Sequence, residues 1–258
     1  MLRTRVIPAL LLRGESLVKT RRFGKFTYVG DPCNTVRIFN ELEVDELAFL
    51  DIDASRSGRS PNMSLLAEIA DECFMPLSYG GGIRTLDDAR RIFDVGFEKV
   101  VLNSSALADP ELISRIAGRY GSQAVIVSID VKRDLFGRER VWSLGGSRAV
   151  PMAADQWARE AEGRGAGEIL LTAIDREGTW AGFDVPLTRR VAEAVNIPVI
   201  AHGGAGSIGD IAEAVHQGQA SAVAVGSMVV FQKQRMGVLV NFPDEEQLRR
   251  ALEPMSAA

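Results

Sequence analysis

The chain carries an internal repeat, and that repeat limits its fold more than any other feature. FLDIDASRSG aligns with LLTAIDREG, MPLSYGGGIRTLDDA with IPVIAHGGAGSIGDI, and VVLNSSAL with AVAVGSMV. Asp53 to Asp175, Pro76 to Pro198 and Ser105 to Ser227 each stand 122 positions apart. Three blocks at one offset, in the same order, describe two copies of one multi-element unit.

Each copy reads as alternating strands and helices. The strand candidates are RVIPALLL, ELAFLDID, MPLSYGG, KVVLNSS, AVIVSIDV, EILLTAID, IPVIAHGG and AVAVGSM. They are apolar throughout rather than alternating, as in a parallel sheet covered on both faces. Amphipathic stretches such as LDDARRIFDVG, AADQWAREAEGRG and LTRRVAEAVN lie between them. Eight such units in 258 residues predict an α/β fold, a (β/α)8 TIM barrel built from two half-barrels. With no linker or low-complexity tract, residues 1–258 are expected to form one domain.

Composition narrows the function. A net charge of -4 and a pI near 5.4 leave little basic surface, so nucleic-acid binding is set aside. The basic runs KTRR and RRFGK read as a solvated loop or as phosphate contacts. Two cysteines without metal or redox spacing, and two histidines, predict a reducing cytoplasm, no structural metal and no cofactor. The apolar run from Val6 to Leu12 is too short to span a membrane and lacks a signal-peptide cleavage site.

In such a barrel, chemistry sits at the C-terminal ends of the strands. The repeat puts glycines at two of them: Gly80, Gly81 and Gly82, then Gly203, Gly204 and Gly206. The next strand of each half ends in small polar residues, Asn103 and Ser104, then Gly226 and Ser227. One glycine cluster could simply turn the chain. Two, each followed by a polar strand end, favour paired phosphate sites and an elongated ligand with a phosphate at each end.

Between those sites the fifth strand ends in Asp130. It reads as a general acid–base group, or else as a buried aspartate that caps a loop or pairs with Lys132. Laying VIPALLLR under VIVSIDVK puts Arg13 under Lys132 and Leu11 under Asp130. Symmetry expects a second acid at 11, and leucine stands there.

These blocks, with DELAFLDI, YGGGIR, GAGEILLTAIDREGT and NIPVIAHGGAGS, resemble the HisF family, the cyclase subunit of imidazole glycerol phosphate synthase. The resemblance runs from RVIP to about Phe231. It implies a TIM barrel acting on the bis-phosphorylated ribonucleotide PRFAR. Ammonia would come from a HisH-like glutaminase at the barrel bottom, and the products would be imidazole glycerol phosphate and AICAR. Carried over by position, the phosphate sites are Gly81, Gly82, Asn103 and Ser104, and Gly203, Gly204, Gly226 and Ser227. Lys19 matches a family lysine and Asp130 the second catalytic aspartate. Asp51 matches a strand-end aspartate, and Asp175 and His202 join it as expected substrate-side residues. Arg5, Glu46, Lys99 and Glu168 match a charged ring that gates an ammonia channel, or are rim salt bridges.

Leu11 falls on the family's first catalytic aspartate, so cyclase activity itself is in question. His202 replaces a usual serine and Glu177 a usual aspartate. His202 could be an acid–base or ligand group, or simply a packed histidine. The opening ALLLRG…LVKT and the tail VLVNFP resemble WbuZ-type HisF-like proteins associated with amidation of surface-polysaccharide sugars. That subgroup implies ammonia delivery to a sugar amidotransferase that turns an acetamido into an acetamidino group. An ordinary histidine-pathway cyclase and a non-catalytic phosphate-binding barrel or ammonia conduit remain as alternatives.

Overall fold

The computed structural model describes residues 4–134, 136–234 and 236–253. The ends of the expected 1–258 domain, 1–3 and 254–258, therefore lie outside the described residues. Eight parallel strands close on themselves: β1 (Arg5–Arg13), β2 (Leu47–Asp51), β3 (Leu77–Gly80), β4 (Lys99–Leu102), β5 (Val125–Arg133), β6 (Glu168–Ala173), β7 (Val199–His202) and β8 (Ala222–Val225). β8 pairs with β1 to shut the ring. This is the (β/α)8 barrel expected from the apolar strands and their spacing.

Helices cover the outside: α1 (Pro32–Glu41), α2 (Met63–Glu72), α3 (Leu86–Asp94), α4 (Glu111–Tyr120), α5 (Ala154–Gly163), α6 (Val185–Ala192), α7 (Ile208–His216) and α8 (Glu245–Leu252). A large core fills the layer between them and the sheet, including Phe39, Ile69, Ile92, Trp157 and Val191. A second, smaller cluster fills the barrel interior, including Ile7, Ala48, Ile126, Leu170 and Ile200. Among the described residues no helix is long and apolar enough to cross a membrane.

The repeat survives in fine detail. Thr85 caps α3 and shares a capping box with Asp88; Ser207 caps α7 and shares one with Asp210. Asp88 also accepts from the Arg84 amide at 3.0 Å, and Asp210 from the Gly206 amide at 2.8 Å. In each half one carboxylate satisfies the orphan donors of a helix start.

The structure corrects one alignment. Gly80 pairs with Val101 and His202 with Ala224, and the short helices after β4 and β8 start at Ser104 and Ser227. Ser104, not Ser105, is therefore the counterpart of Ser227. The extra residue falls in the turn between α7 and β8, where Gln219 takes a left-handed conformation at φ 56°. It lets the second half absorb one insertion before β8 without disturbing strand register.

Two loops cross the top. Strands Ser16–Thr20 and Phe26–Gly30 form a hairpin after β1, while Glu139–Ser143 and Arg148–Val150 extend β5 outward. Arg22 ties the first hairpin across the mouth: its amide donates to the Glu177 carbonyl at 2.9 Å and its Nε to the Asp175 carbonyl at 2.9 Å.

Candidate functional site

Strand register lines up the residues that face the barrel mouth. In the N-terminal half the row runs Leu11, Leu50, Gly80, Val101; in the C-terminal half it runs Asp130, Thr172, His202, Ala224. Each residue of the first row pairs with its neighbour as its counterpart does in the second. Leu11 thus occupies the place of Asp130, and the symmetry argument from sequence holds in the sheet. All but Ala224 line a cavity of about 220 Å³ that also takes in Asp51, Gly81, Gly82, Asn103, Ser104 and Glu177.

The two rows make different environments. Leu11 is buried, with Leu50 and the hairpin strand residue Val18 as its register partners on the two neighbouring strands. Asp130 is buried too, with the Ser128 hydroxyl donating to it at 3.2 Å. Burial pushes its carboxyl up to about 7, and the Ser128 and Thr172 hydroxyls pull the other way. Lys132 does not pair with it; its ammonium sits 5.0 Å over the Trp142 ring.

His202 is packed, and it also lines the cavity. Its Nδ1 lies 3.1 Å from the Thr172 hydroxyl. Burial lowers the imidazole to about 4, helped by the nearby Lys19 charge and opposed by Glu177. Lys19 and Glu177 form a buried ion pair at 2.7 Å, and the Thr20 hydroxyl donates to Glu177 at 3.0 Å. Burial acts to raise the Glu177 carboxyl, but Lys19 outweighs it and holds it below the ordinary carboxylate range.

That ion pair stands between two cavities. Lys19, Arg21, Lys25 and Ser227 line a second space of about 280 Å³, and Thr20 lines both. The expected phosphate residues divide accordingly. Gly81, Gly82, Asn103 and Ser104 all face the first cavity, where the Gly82 amide donates to the Ser55 hydroxyl at 3.3 Å. Of the second set, Ser227 lines the other cavity while Gly203, Gly204 and Gly226 line neither. A side chain at Gly226 would collide with the Lys19 ammonium, so this glycine makes room for the lysine.

The first glycine of each set has a packing reason of its own. Gly81 has φ 118°, and a Cβ there would stand 2.5 Å from the Asp51 carbonyl oxygen. Gly203 has φ 93°, and its Cβ would stand 2.8 Å from the Ala173 carbonyl oxygen. Asp51 and Ala173 are themselves repeat partners.

Asp51 closes the loop after β2: its Oδ1 accepts from the Asp53 and Ala54 amides, each at 3.0 Å. Burial raises its carboxyl, against these amides and Arg59. Asp175 lines neither cavity and accepts from the Arg133 amide at 2.9 Å, a structural clasp between the loops after β5 and β6. Among the described residues no group of three or more His, Cys, Asp and Glu is placed to hold a metal.

At the opposite end, Arg5, Glu46, Lys99 and Glu168 do meet. Arg5 bridges Glu46 at 2.6 Å and Glu168 at 2.7 Å; Lys99 bridges the same two at 3.1 and 3.3 Å. The four charges alternate around the bottom of the barrel below the apolar interior.

Sequence reasoning missed Thr172 and Ser128. The signal for Thr172 was the repeat itself, because it stands 122 positions after Leu50 in the row already in use. The partner of Glu177 was not readable, since Lys19 reaches it from the first hairpin.

Comparison with known proteins agrees with this arrangement. Residues 5–235 match the model of the family described as "Histidine biosynthesis protein". The Pseudomonas aeruginosa protein named "Putative imidazole glycerol phosphate synthase subunit hisF2" is 50% identical over 248 residues, covering 96% of this chain and 99% of that protein. The Vibrio vulnificus protein named "Putative imidazole glycerol phosphate synthase subunit hisF3" is 43% identical over 254 residues, 98% of each chain. The Alkaliphilus metalliredigens protein named "Imidazole glycerol phosphate synthase subunit HisF" is 44% identical over 228 residues, 88% of this chain and 90% of that one.

Proposed function

This chain belongs to the histidine biosynthesis protein family as a HisF-like member, and from that premise we propose that it is a paralogue that handles ammonia without the two-acid cyclase site. It receives ammonia from a HisH-like glutaminase docked at the barrel bottom, where Arg5, Glu46, Lys99 and Glu168 form the ring through which ammonia enters. The ammonia serves acetamido-to-acetamidino conversion on a surface-polysaccharide sugar, carried out with a sugar amidotransferase. The observation that carries this reading is Leu11, seated in the mouth at the register position of Asp130 and next to Leu50 on the neighbouring strand. Leucine neither gives nor takes a proton, and loss of one catalytic acid or base costs on the order of 10²–10⁴-fold in rate.

A second reading is an authentic histidine-pathway cyclase that turns PRFAR and ammonia into imidazole glycerol phosphate and AICAR. Asp130, raised to about 7, is poised for acid–base work near neutral pH, and Gly81, Gly82, Asn103 and Ser104 still face the cavity. A phosphate-binding barrel that turns nothing over is the third outcome. The deciding experiment supplies PRFAR and a high concentration of ammonium salt at alkaline pH to the purified protein, bypassing any glutaminase. The expected result is no cyclisation, with partial activity appearing in Leu11→Asp. Turnover near that of a two-acid enzyme would establish the cyclase reading instead. PRFAR binding with no turnover in either protein would favour the third.

A further inference from the structure

The two cavities of the mouth differ in charge. The first is lined by Asp51, Asp53, Asp130 and Glu177 against only Arg13 and Arg56, and Arg13 is already paired with Asp53 at 2.8 Å. The second is lined by Lys19, Arg21 and Lys25, and none of the described residues around it is a carboxylate. A wall made by the first hairpin and the loop after β6 divides them. Glu177 lines the first cavity and Lys19 the second, and the two side chains meet at 2.7 Å, 1% and 4% exposed. The Thr20 hydroxyl, on the border of both, donates to the other Glu177 carboxylate oxygen at 3.0 Å. The Arg22 amide donates to the Glu177 carbonyl at 2.9 Å, and a Cβ at Gly178 would meet the Thr20 carbonyl oxygen, so the hairpin backbone lies directly on this loop.

The expected phosphate residues stand on both sides of that wall. Gly81, Gly82, Asn103 and Ser104 line the first cavity and Ser227 the second. A ligand with two binding ends gains over its halves only if both ends engage at once. Here the way from one side to the other passes through a buried ion pair, and separating such a pair leaves each charge buried without its counter-ion.

We propose that the Lys19–Glu177 wall makes this mouth selective for a ligand bearing one phosphate, seated in the basic cavity on Lys19, Arg21 and Lys25, and closes it to a ligand that must span both cavities with a phosphate at each end. A phosphate in the basic cavity meets three cations; across the wall it would meet carboxylates that outnumber the arginines. Glu177 is the specificity-determining residue, because its carboxylate reaches both Lys19 and Thr20. An aspartate on the same backbone would stop one carbon–carbon bond short of them. The ligand class follows from the cavities and the wall, so it does not depend on where the ammonia goes.

The test is isothermal titration calorimetry of the full-length protein in ammonium-free buffer. The probes are PRFAR and the two compounds that carry one phosphate each, AICAR and imidazole glycerol phosphate. The expected result is that at least one of these two binds, and that PRFAR binds within about tenfold of the better one, without the gain of about 10²–10⁴-fold open to a ligand that engages two sites. In Glu177→Ala, PRFAR should gain about tenfold or more on that compound. Glu177→Asp keeps the charge beside Lys19 and should move the ratio the same way, which covers an alanine variant that fails to fold. Arg21 and Lys25 are exposed, and changing both to alanine should weaken the one-phosphate compound by about tenfold or more. Four results would each overturn the proposal: PRFAR binding the native protein more than about tenfold tighter than both smaller compounds, no binding by either smaller compound, an unchanged ratio in the folded Glu177 variants, or unchanged one-phosphate affinity in the double variant. The readout is binding alone, so it fails or succeeds independently of the ammonia assignment.

Discussion

The two half-barrels share a backbone and differ in what it presents to the cavity. Their capping boxes match residue for residue, Thr85 and Asp88 against Ser207 and Asp210. Their tight glycines match, Gly81 against Gly203. Yet one mouth row reads Leu11, Leu50, Gly80, Val101 and the other Asp130, Thr172, His202, Ala224. The shared parts satisfy buried donors or avoid backbone collisions, where a wrong residue costs the fold. The row bordering the cavity is free of that demand, so one half presents Asp130, Thr172 and His202 while the other presents an apolar wall. The row itself is titratable on one side of the mouth only, with Asp51 of the other half lining the same cavity just beyond the row.

The glycine pair gives the largest test of the shared part. Gly81→Ala and Gly203→Ala each force a Cβ onto a carbonyl oxygen at a φ that side chains avoid. Each should cost about 3–5 kcal/mol in chemical denaturation. Equal losses would show that the halves obey one backbone constraint. A loss at one position and none at the other would break the equivalence.

The apolar row is tested next by Leu11→Asp. A carboxylate beside Leu50 has no Ser128 or Thr172 to accept from, so it should cost about 2–4 kcal/mol near pH 8. Burial raises the folded-state value of such a carboxyl above its unfolded one. The penalty is therefore absent below the unfolded pKa and grows as pH rises through the folded value. Adding Leu50→Thr rebuilds the neighbour that Asp130 has and should return about 1 kcal/mol. Denaturation of the four proteins of this cycle at pH 5 and pH 8 measures the coupling. A purely additive result would mean the strand-6 hydroxyl does not support the acid in the other half either.

Much of this was legible before any coordinates. The strand periodicity and the repeat carried the barrel, because a parallel sheet buried on both faces has to be apolar at every position. The place of Leu11 opposite Asp130 followed from laying VIPALLLR under VIVSIDVK, at an offset of 119 rather than the 122 of the other blocks. The alignment slipped by one at Ser227 because the inserted residue sits in the turn before β8, which no hydrophobic pattern marks. The second phosphate set was half legible. The glycines at 203 and 204 are where the repeat puts them, but packing on neighbouring carbonyls explains them without a ligand. The Lys19–Glu177 pair was out of reach, because it joins a hairpin to a loop more than half the chain away and only the folded mouth brings them within 2.7 Å.

The polar row spreads its effect over pH. Asp130 binds its proton up to about 7 in the folded chain, against about 4 when unfolded. Between those values the folded state holds the extra proton, so this residue makes stability fall as pH rises. His202 does the opposite: its folded value is about 4 against an ordinary 6.5, so the unfolded state holds the extra proton and stability rises with pH over that window. Each contribution has a limiting slope of about 1.4 kcal/mol per pH unit, and the two have opposite signs. In the native protein they offset between about pH 4 and 6.5. His202→Ser should leave Asp130 unopposed, so its stability relative to wild type should decline from about pH 4 to 6.5, the window of the histidine it has lost. Asp130→Asn should leave His202 unopposed, and its stability relative to wild type should climb from about pH 4 to 7, the window of the aspartate it has lost. Thermal midpoints of the three proteins across this range would show profiles diverging in opposite directions if burial sets both values. Three parallel profiles would mean that water reaches both groups and that the C-terminal row is no more buried chemistry than the rim around it.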